Sequence, residues 1–112
     1  MTTGFFFDPF FLRHFSAEQH PENPDRLKEI IKLVSSHKIY SKLYCPKFWP
    51  LTSEEQILKV HSKLVLEKLK SSKVKKLDPD TYINKDSYEA CLRASGAVLE
   101  AVRLLNLENR TK

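Results

Sequence analysis

The sequence predicts an α/β chain, rich in helix, with one or two parallel-type strands near its start. Three observations carry that expectation. Several segments join a helix-starting signal to apolar residues at helical spacing. A short apolar run, Gly4–Phe7, is ended at once by Asp8-Pro9, which suits a strand covered on both faces. And two glycines in 112 residues are too few for the tight turns of an all-β chain. The length fits a single domain over residues 1–112, with a modest core.

After Gly4–Phe7, residues 10–19 show no period and read as a loop. Asn23-Pro24-Asp25 opens the first helix: Asn caps free N–H groups, Pro lacks the N–H that would go unpaired, and Asp suits the positive helix end. Leu27, Ile30, Ile31 and Val34 then make one stripe, and the helix ends near His37. Leu43-Tyr44-Cys45 suggests a second short strand, stopped by Pro46, before a loop from Lys47 to Leu51. Thr52 with Glu55 forms a capping box for a helical region carrying Ile57, Leu58, Leu64, Val65 and Leu69. Ser62 suggests a break near His61 and a separate second helix. Residues 71–85 are polar and read as a loop. Asp86 and Glu89 make another capping pattern, ahead of a long helix with Tyr88, Cys91, Leu92, Ser95, Leu99, Val102 and Leu105 on one mostly apolar face. Ala90, Ala94, Ala97 and Ala101 add a stripe of small residues that permits close packing. Two strands do not make a stable sheet alone, so a central strand at Gly4–Phe7 needs neighbours from elsewhere.

Composition narrows the function classes. The net charge is +5, with lysines at 59, 63, 68, 70, 73, 75 and 76 and one acid, Glu67, among them. No aromatic residues interleave that run, so a solvated helix face is expected rather than a nucleic-acid platform. Cys45 and Cys91 make neither a disulfide scaffold nor a zinc motif, which fits a reducing compartment. No apolar run reaches membrane-span length, and the N-terminus lacks the basic region of a signal peptide. A cytoplasmic protein with no membrane partner is expected.

No complete catalytic constellation is visible. His14, His20, His37 and His61 do not stand at zinc-ligand spacings, and there is neither a nucleophile elbow nor a glycine-rich phosphate loop. Three groups remain as candidates. His20-Pro21-Glu22-Asn23-Pro24 holds an imidazole and a carboxylate in a loop stiffened by two prolines, suited to a site wall or simply to starting a helix. Arg26 is a cation near a positive helix end, which suggests a carboxylate or carbonyl partner, or a plain surface arginine. Asp78-Pro79-Asp80-Thr81 carries two carboxylates in a turn, able to bind a substrate amide or a hard cation, or only to shape the turn. His61 reads as a core histidine and Cys91 as a packing residue.

In order along the chain, these segments resemble the histone deacetylase superfamily, closest to its class II and bacterial acetoin-utilisation-like branch. The likeness rests on Thr3-Gly4-Phe5-Phe6-Phe7-Asp8, His14 and His20 to Leu27. It continues through Ile57 to Ser62, Leu77 to Tyr82, Ser87 to Ala90 and Ala94 to Ala97, covering about Thr3 to Leu104. The resemblance implies an arginase-like fold with a central parallel sheet. It implies hydrolysis of acetyl-lysine or related acetylated amines by one zinc ion, held by two Asp and one His, with neighbouring histidines and a tyrosine. In the family those residues follow everything matched here. The resemblance therefore implies an incomplete N-terminal part: no catalytic residue or metal ligand in it, zinc only in the complete domain, and no activity alone.

By the same resemblance Arg26 lines the internal channel. Asp80 is the rim aspartate that holds the substrate backbone, with Asp78 open under a shifted register. His20, Pro21 and Glu22 form the first loop at the pocket mouth. The remainder of the deacetylase domain becomes the expected partner. The alternatives are a binding or regulatory module that docks through the Ala90–Ala101 stripe and, behind it, a basic nucleic-acid binder.

Overall fold

Side-chain caps set the helix starts. The structure is a computed structural model that describes residues 2–71, 73 and 75–110. Helix α1 spans Pro24–Ser36; Asn23 Oδ1 accepts from the Asp25 N–H at 2.9 Å, and Pro24 occupies the first position. The helix ends at an extended His37, whose Nδ1 accepts from the Ile39 N–H to open a short 3₁₀ helix, Lys38–Lys42. Helix α2 spans Glu54–Leu58 and α3 spans Lys63–Lys70. They break at Ser62, whose Oγ accepts from the Val65 N–H, as the sequence suggested.

The cap of α2 lies one residue later than expected. Ser53 and Gln56, not Thr52 and Glu55, form the reciprocal box. Thr52 is buried instead, and its N–H donates to the Leu92 carbonyl at 3.1 Å. The crossing of the chain over the last helix fixes Thr52 and hands the cap to its neighbour.

Three further expectations change. Residues 9–13 form a 3₁₀ helix, because Asp8 Oδ1 accepts from the Phe10 N–H at 2.8 Å and Pro9 starts the turn. The loop expected over residues 71–85 contains an antiparallel hairpin, β1 (Lys75–Asp78) and β2 (Thr81–Ile83), with Lys76 opposite Tyr82 and an irregularity before Asp78. Ser72 and Val74 of that loop lie outside the described residues. The hairpin owes its stability to Ile83, which is 2% exposed; full burial of such a side chain contributes about 1.5–3 kcal/mol. The strands expected at Gly4–Phe7 and Leu43–Cys45 are reduced to one parallel bridge, Gly4 to Tyr44. Phe5 N–H donates to Tyr44 O at 2.9 Å, and Tyr44 N–H to Thr3 O at 3.0 Å. The direction is as expected, but Phe5, Phe6 and Phe7 are only half-buried.

The long helix α4, Ser87–Arg110, organises the rest. Asp86 and Glu89 do not form the expected reciprocal cap. Asp86 N–H donates to Asn84 Oδ1 at 2.8 Å, and the Glu89 carboxylate is taken by Arg93. Residues 49–52 cross the helix at Gly96. Trp49 Nε1 donates to the Arg93 carbonyl at 2.8 Å, and a Cβ at Gly96 would run into the Pro50 carbonyl oxygen. This close backbone approach is what requires glycine there. Arg93 then reaches Asp8 at 2.8 Å and lies over the Phe10 ring, 4.5 Å from its centroid.

The buried apolar side chains among the described residues are Leu66, Ile83, Ala90 and Ala97. The accessible surface is 8662 Å², against roughly 6400 Å² for a folded monomer of this mass. The radius of gyration is 16.2 Å, against about 13 Å for a compact chain of similar length. Much of the excess is apolar: Val98, Leu99, Val102 and Leu105 stand exposed on α4. His61 is exposed as well, contrary to its reading as a core histidine, because the short α2 ends before burying it. Among the described residues no helix is long and apolar enough to cross a membrane.

Candidate functional site

The hairpin turn and the loop before α1 enclose a cleft of about 110 Å³, lined among others by His14, Glu18, His20, Glu22, Asp80 and Tyr82. Two of the three groups singled out in the sequence thus meet at one opening. His20 and Glu22 come from the proline-stiffened loop, and Asp80 comes from the hairpin turn. Within the loop, Glu22 N–H donates to His20 Nδ1 at 3.0 Å, and Asn23 Nδ2 donates to the His20 carbonyl at 2.7 Å. Pro21 is exposed and shapes the loop from outside the cleft.

The turn separates its two carboxylates. Asp78 Oδ1 accepts from the Asp80 N–H at 2.8 Å, which closes the turn. That bond, with a further one from Thr81, holds the Asp78 carboxyl below its ordinary range. The Asp80 carboxylate lines the cleft and carries no hydrogen bond or ion pair among the described residues. It is the carboxylate of the pair that the turn leaves unengaged. Across the cleft Glu18 is neutralised by Lys76 at 2.7 Å.

Arg26 has found its carboxylate. Its guanidinium lies 3.1 Å from Glu22 on the surface of α1, both side chains being more than half exposed. An exposed pair of this kind contributes at most about 1 kcal/mol.

A buried polar knot supports the cleft floor. Ser87, 0% exposed, lies 2.8 Å from His14 Nδ1 and accepts the Asn84 N–H at 2.8 Å. Asn84, itself buried, donates to the carbonyls of Arg13 and Phe15 at 2.8 and 3.1 Å. The segment around His14 is thereby tied to the first turn of α4. Burial lowers the His14 pKa from the ordinary 6.5. Sequence reasoning assigned no role to His14, Asn84 or Ser87, because the partners are some seventy residues apart and no spacing announces them. The one available signal is Asn84 and Ser87 at turn-to-helix spacing.

Cys91 is exposed as a residue, although desolvation of its thiol pushes the pKa up and disfavours the reactive thiolate. The lysine run is partly paired: Lys70 meets Glu54 at 2.6 Å, and Lys76 meets Glu18. Among the described residues no three His, Cys, Asp or Glu side chains gather closely enough to hold a metal ion.

Three comparisons bear on this arrangement. The histone deacetylase domain family matches residues 20–112. Histone deacetylase 6 of Caenorhabditis elegans is 28% identical over 101 residues, 80% of this chain and 11% of that protein. The crystal structure of the HDA15 HD domain superposes with a TM-score of 0.75 at 25% identity, covering 84% of this chain and 29% of that one. The chain thus spans less than a third of either relative.

Proposed function

We propose, since this chain belongs to the histone deacetylase family, that it forms the pocket-mouth part of a zinc-dependent deacetylase acting on acetyl-lysine or related acetylated amines. In this reading Asp80 holds the substrate backbone, and His20, Pro21 and Glu22 form the adjoining wall. Arg26 serves the internal channel once the rest of the domain encloses it. In the family pattern the zinc ion, which would activate water for attack on the amide, is held by residues that follow those matched here. The chain alone is inactive, and its setting is the reducing cytoplasm.

One juxtaposition supports the reading. The unpartnered Asp80 carboxylate shares a cleft with the His20–Glu22 loop, as a rim that accepts peptide N–H groups requires. Backbone N–H groups of an extended substrate are donors without a net charge, and a fixed carboxylate is the strongest acceptor for them.

The test is a chimera in which residues 3–104 replace the matching segment of an active relative. Acetate release from an acetyl-lysine peptide is expected to persist, and Asp80→Ala is expected to reduce it about tenfold or more, mainly through KM. The isolated chain is expected to release no acetate and to bind no stoichiometric zinc. Unchanged turnover in the Asp80→Ala chimera would remove the rim assignment.

A second reading, a non-catalytic module that docks on a partner, is favoured by the exposed apolar face of α4. Both readings share a physical need: that face has to be covered by something.

A further inference from the structure

The end of α1 and the segment after it form a surface apart from the cleft. From Ile30 to Ser53 the chain has no Asp, Glu or Arg, yet it carries Lys32, Lys38, Lys42 and Lys47. All four are exposed, and none has an ion pair or a side-chain hydrogen bond among the described residues. In the other lysine run, by contrast, Lys63, Lys70 and Lys76 each meet a carboxylate. Large apolar groups share the surface: Ile39, Tyr40 and, at 90% exposure, Phe48. The 3₁₀ helix Lys38–Lys42 packs on α1. A recess of about 260 Å³ joins Ile31 and Ser35 of α1 to Tyr40 and Lys47. Lys38 and Lys42 stand two residues to either side of Tyr40. Phe48 is left outside while its neighbour Trp49 is drawn in, donating Nε1–H to the Arg93 carbonyl. Of the nearby acids, Asp8 is held by Arg93, and Glu29 lies one helical turn before Lys32. Counting Glu29 against the four lysines leaves the region at +3.

We infer that this surface adsorbs on an anionic lipid bilayer, the lysines facing the headgroups and Phe48 entering the interface beside Lys47. A protruding aromatic ring among lysines is the composition of an interfacial anchor. Protein–protein interfaces favour arginine and are depleted in lysine, the reverse of what this surface carries. Single-stranded nucleic acid needs a basic track with successive stacking rings. Here Tyr40 lines the recess, whereas Tyr44 lines a different groove beside α4, so the two do not form one track. A membrane partner departs from the expectation drawn from the sequence, which rested on the lack of a spanning segment and of a signal peptide. Adsorption requires neither. No residue of the cleft takes part, so the deacetylase reading and this one stand or fall separately.

The experiment measures cosedimentation of the 112-residue chain with phosphatidylcholine vesicles, with and without phosphatidylserine. Binding is expected only with phosphatidylserine and is expected to weaken as salt rises, because exposed charges are screened. Joint replacement Lys38→Gln, Lys42→Gln and Lys47→Gln is expected to weaken it on the order of a hundredfold, at about fivefold per lysine. Lys59→Gln, Lys68→Gln and Lys73→Gln together remove the same charge from the other run and are expected to change binding less than about threefold. Phe48→Ser is expected to cost about tenfold. In Phe48→Trp the added indole is expected to be quenched by brominated lipid more strongly than Trp49 in the parent chain. The replaced side chains are all exposed, and circular dichroism checks that each variant keeps its helices.

Equal losses in the two triple variants would reduce the effect to net charge and overturn the inference. An equal loss in Val102→Ser and Phe48→Ser would place adsorption on the open face of α4 and overturn it too. So would tighter binding to oligothymidine than to vesicles, an unquenched indole in Phe48→Trp, or no binding to the phosphatidylserine vesicles.

Discussion

The two halves of α4 share one helix and differ in what surrounds them. Its first half is clasped. Ser87 and Ala90 are buried, Arg93 holds Asp8 and Glu89, and residues 49–52 cross tightly at Gly96. Its second half is open. Val98, Leu99, Val102 and Leu105 face outward, and an apolar groove of about 420 Å³ lies between Phe6, Tyr44 and Leu105. The difference teaches where the chain holds itself by its own contacts and where it leaves apolar surface open. The clasped half is held by polar contacts and a close backbone approach, all drawn from this chain. The open half carries the apolar surface that a soluble fold normally covers.

Substitutions can break or sharpen that contrast. The largest effect is expected for Gly96→Ala. The added Cβ meets the Pro50 carbonyl and lies 3.2 Å from Leu51 Cα, so backbone must move. A loss of about 3 kcal/mol is expected, well above the roughly 1 kcal/mol that alanine returns in helix propensity. Urea unfolding reads it; an unchanged midpoint would mean that the crossing is absent.

Asn84→Ala comes next, at about 2–3 kcal/mol, because it leaves the Arg13 and Phe15 carbonyls and the Asp86 N–H without their partner. Faster hydrogen exchange at Asp86 and Ser87 would accompany it. Retained protection there would contradict the knot.

A smaller, pH-dependent effect belongs to His14. Burial holds its folded-state pKa below 6.5, so the unfolded chain takes up the proton first as the solution is acidified. The contribution to stability is fully present above 6.5 and is lost as pH falls through the folded-state value. His14→Gln should flatten the stability profile across that window relative to the parent chain.

The smallest effect is expected on the open half. Val102→Lys should change the stability of this chain by no more than about 0.5 kcal/mol while reducing binding of a hydrophobic dye. A large loss would show that Val102 is covered in solution, by a second copy or otherwise.

Much of the helical framework was legible because its signals are local. Asn23-Pro24-Asp25 starts α1 and Ser62 starts α3, each through a bond spanning two or three residues. The resemblance carried the site further than spacing alone did: His20, Glu22 and Asp80 were singled out before they were seen to share a cleft. The hairpin was missed because its strands are short and mostly polar, and only the burial of Ile83 reveals them. That the turn engages the Asp78 carboxylate and not that of Asp80 is likewise visible only in the turn itself.

The sequence by itself determined which segments coil, where two of the helices begin and which family pattern the chain follows, since caps and periodicity act over a few residues. Tertiary structure alone decided the rest. It joined His14 to Ser87, made Gly96 a crossing point, shrank two expected strands to one bridge and left half of α4 bare. The physical reason is distance along the chain: these contacts pair groups some forty to seventy residues apart, and no local propensity encodes which distant group will arrive.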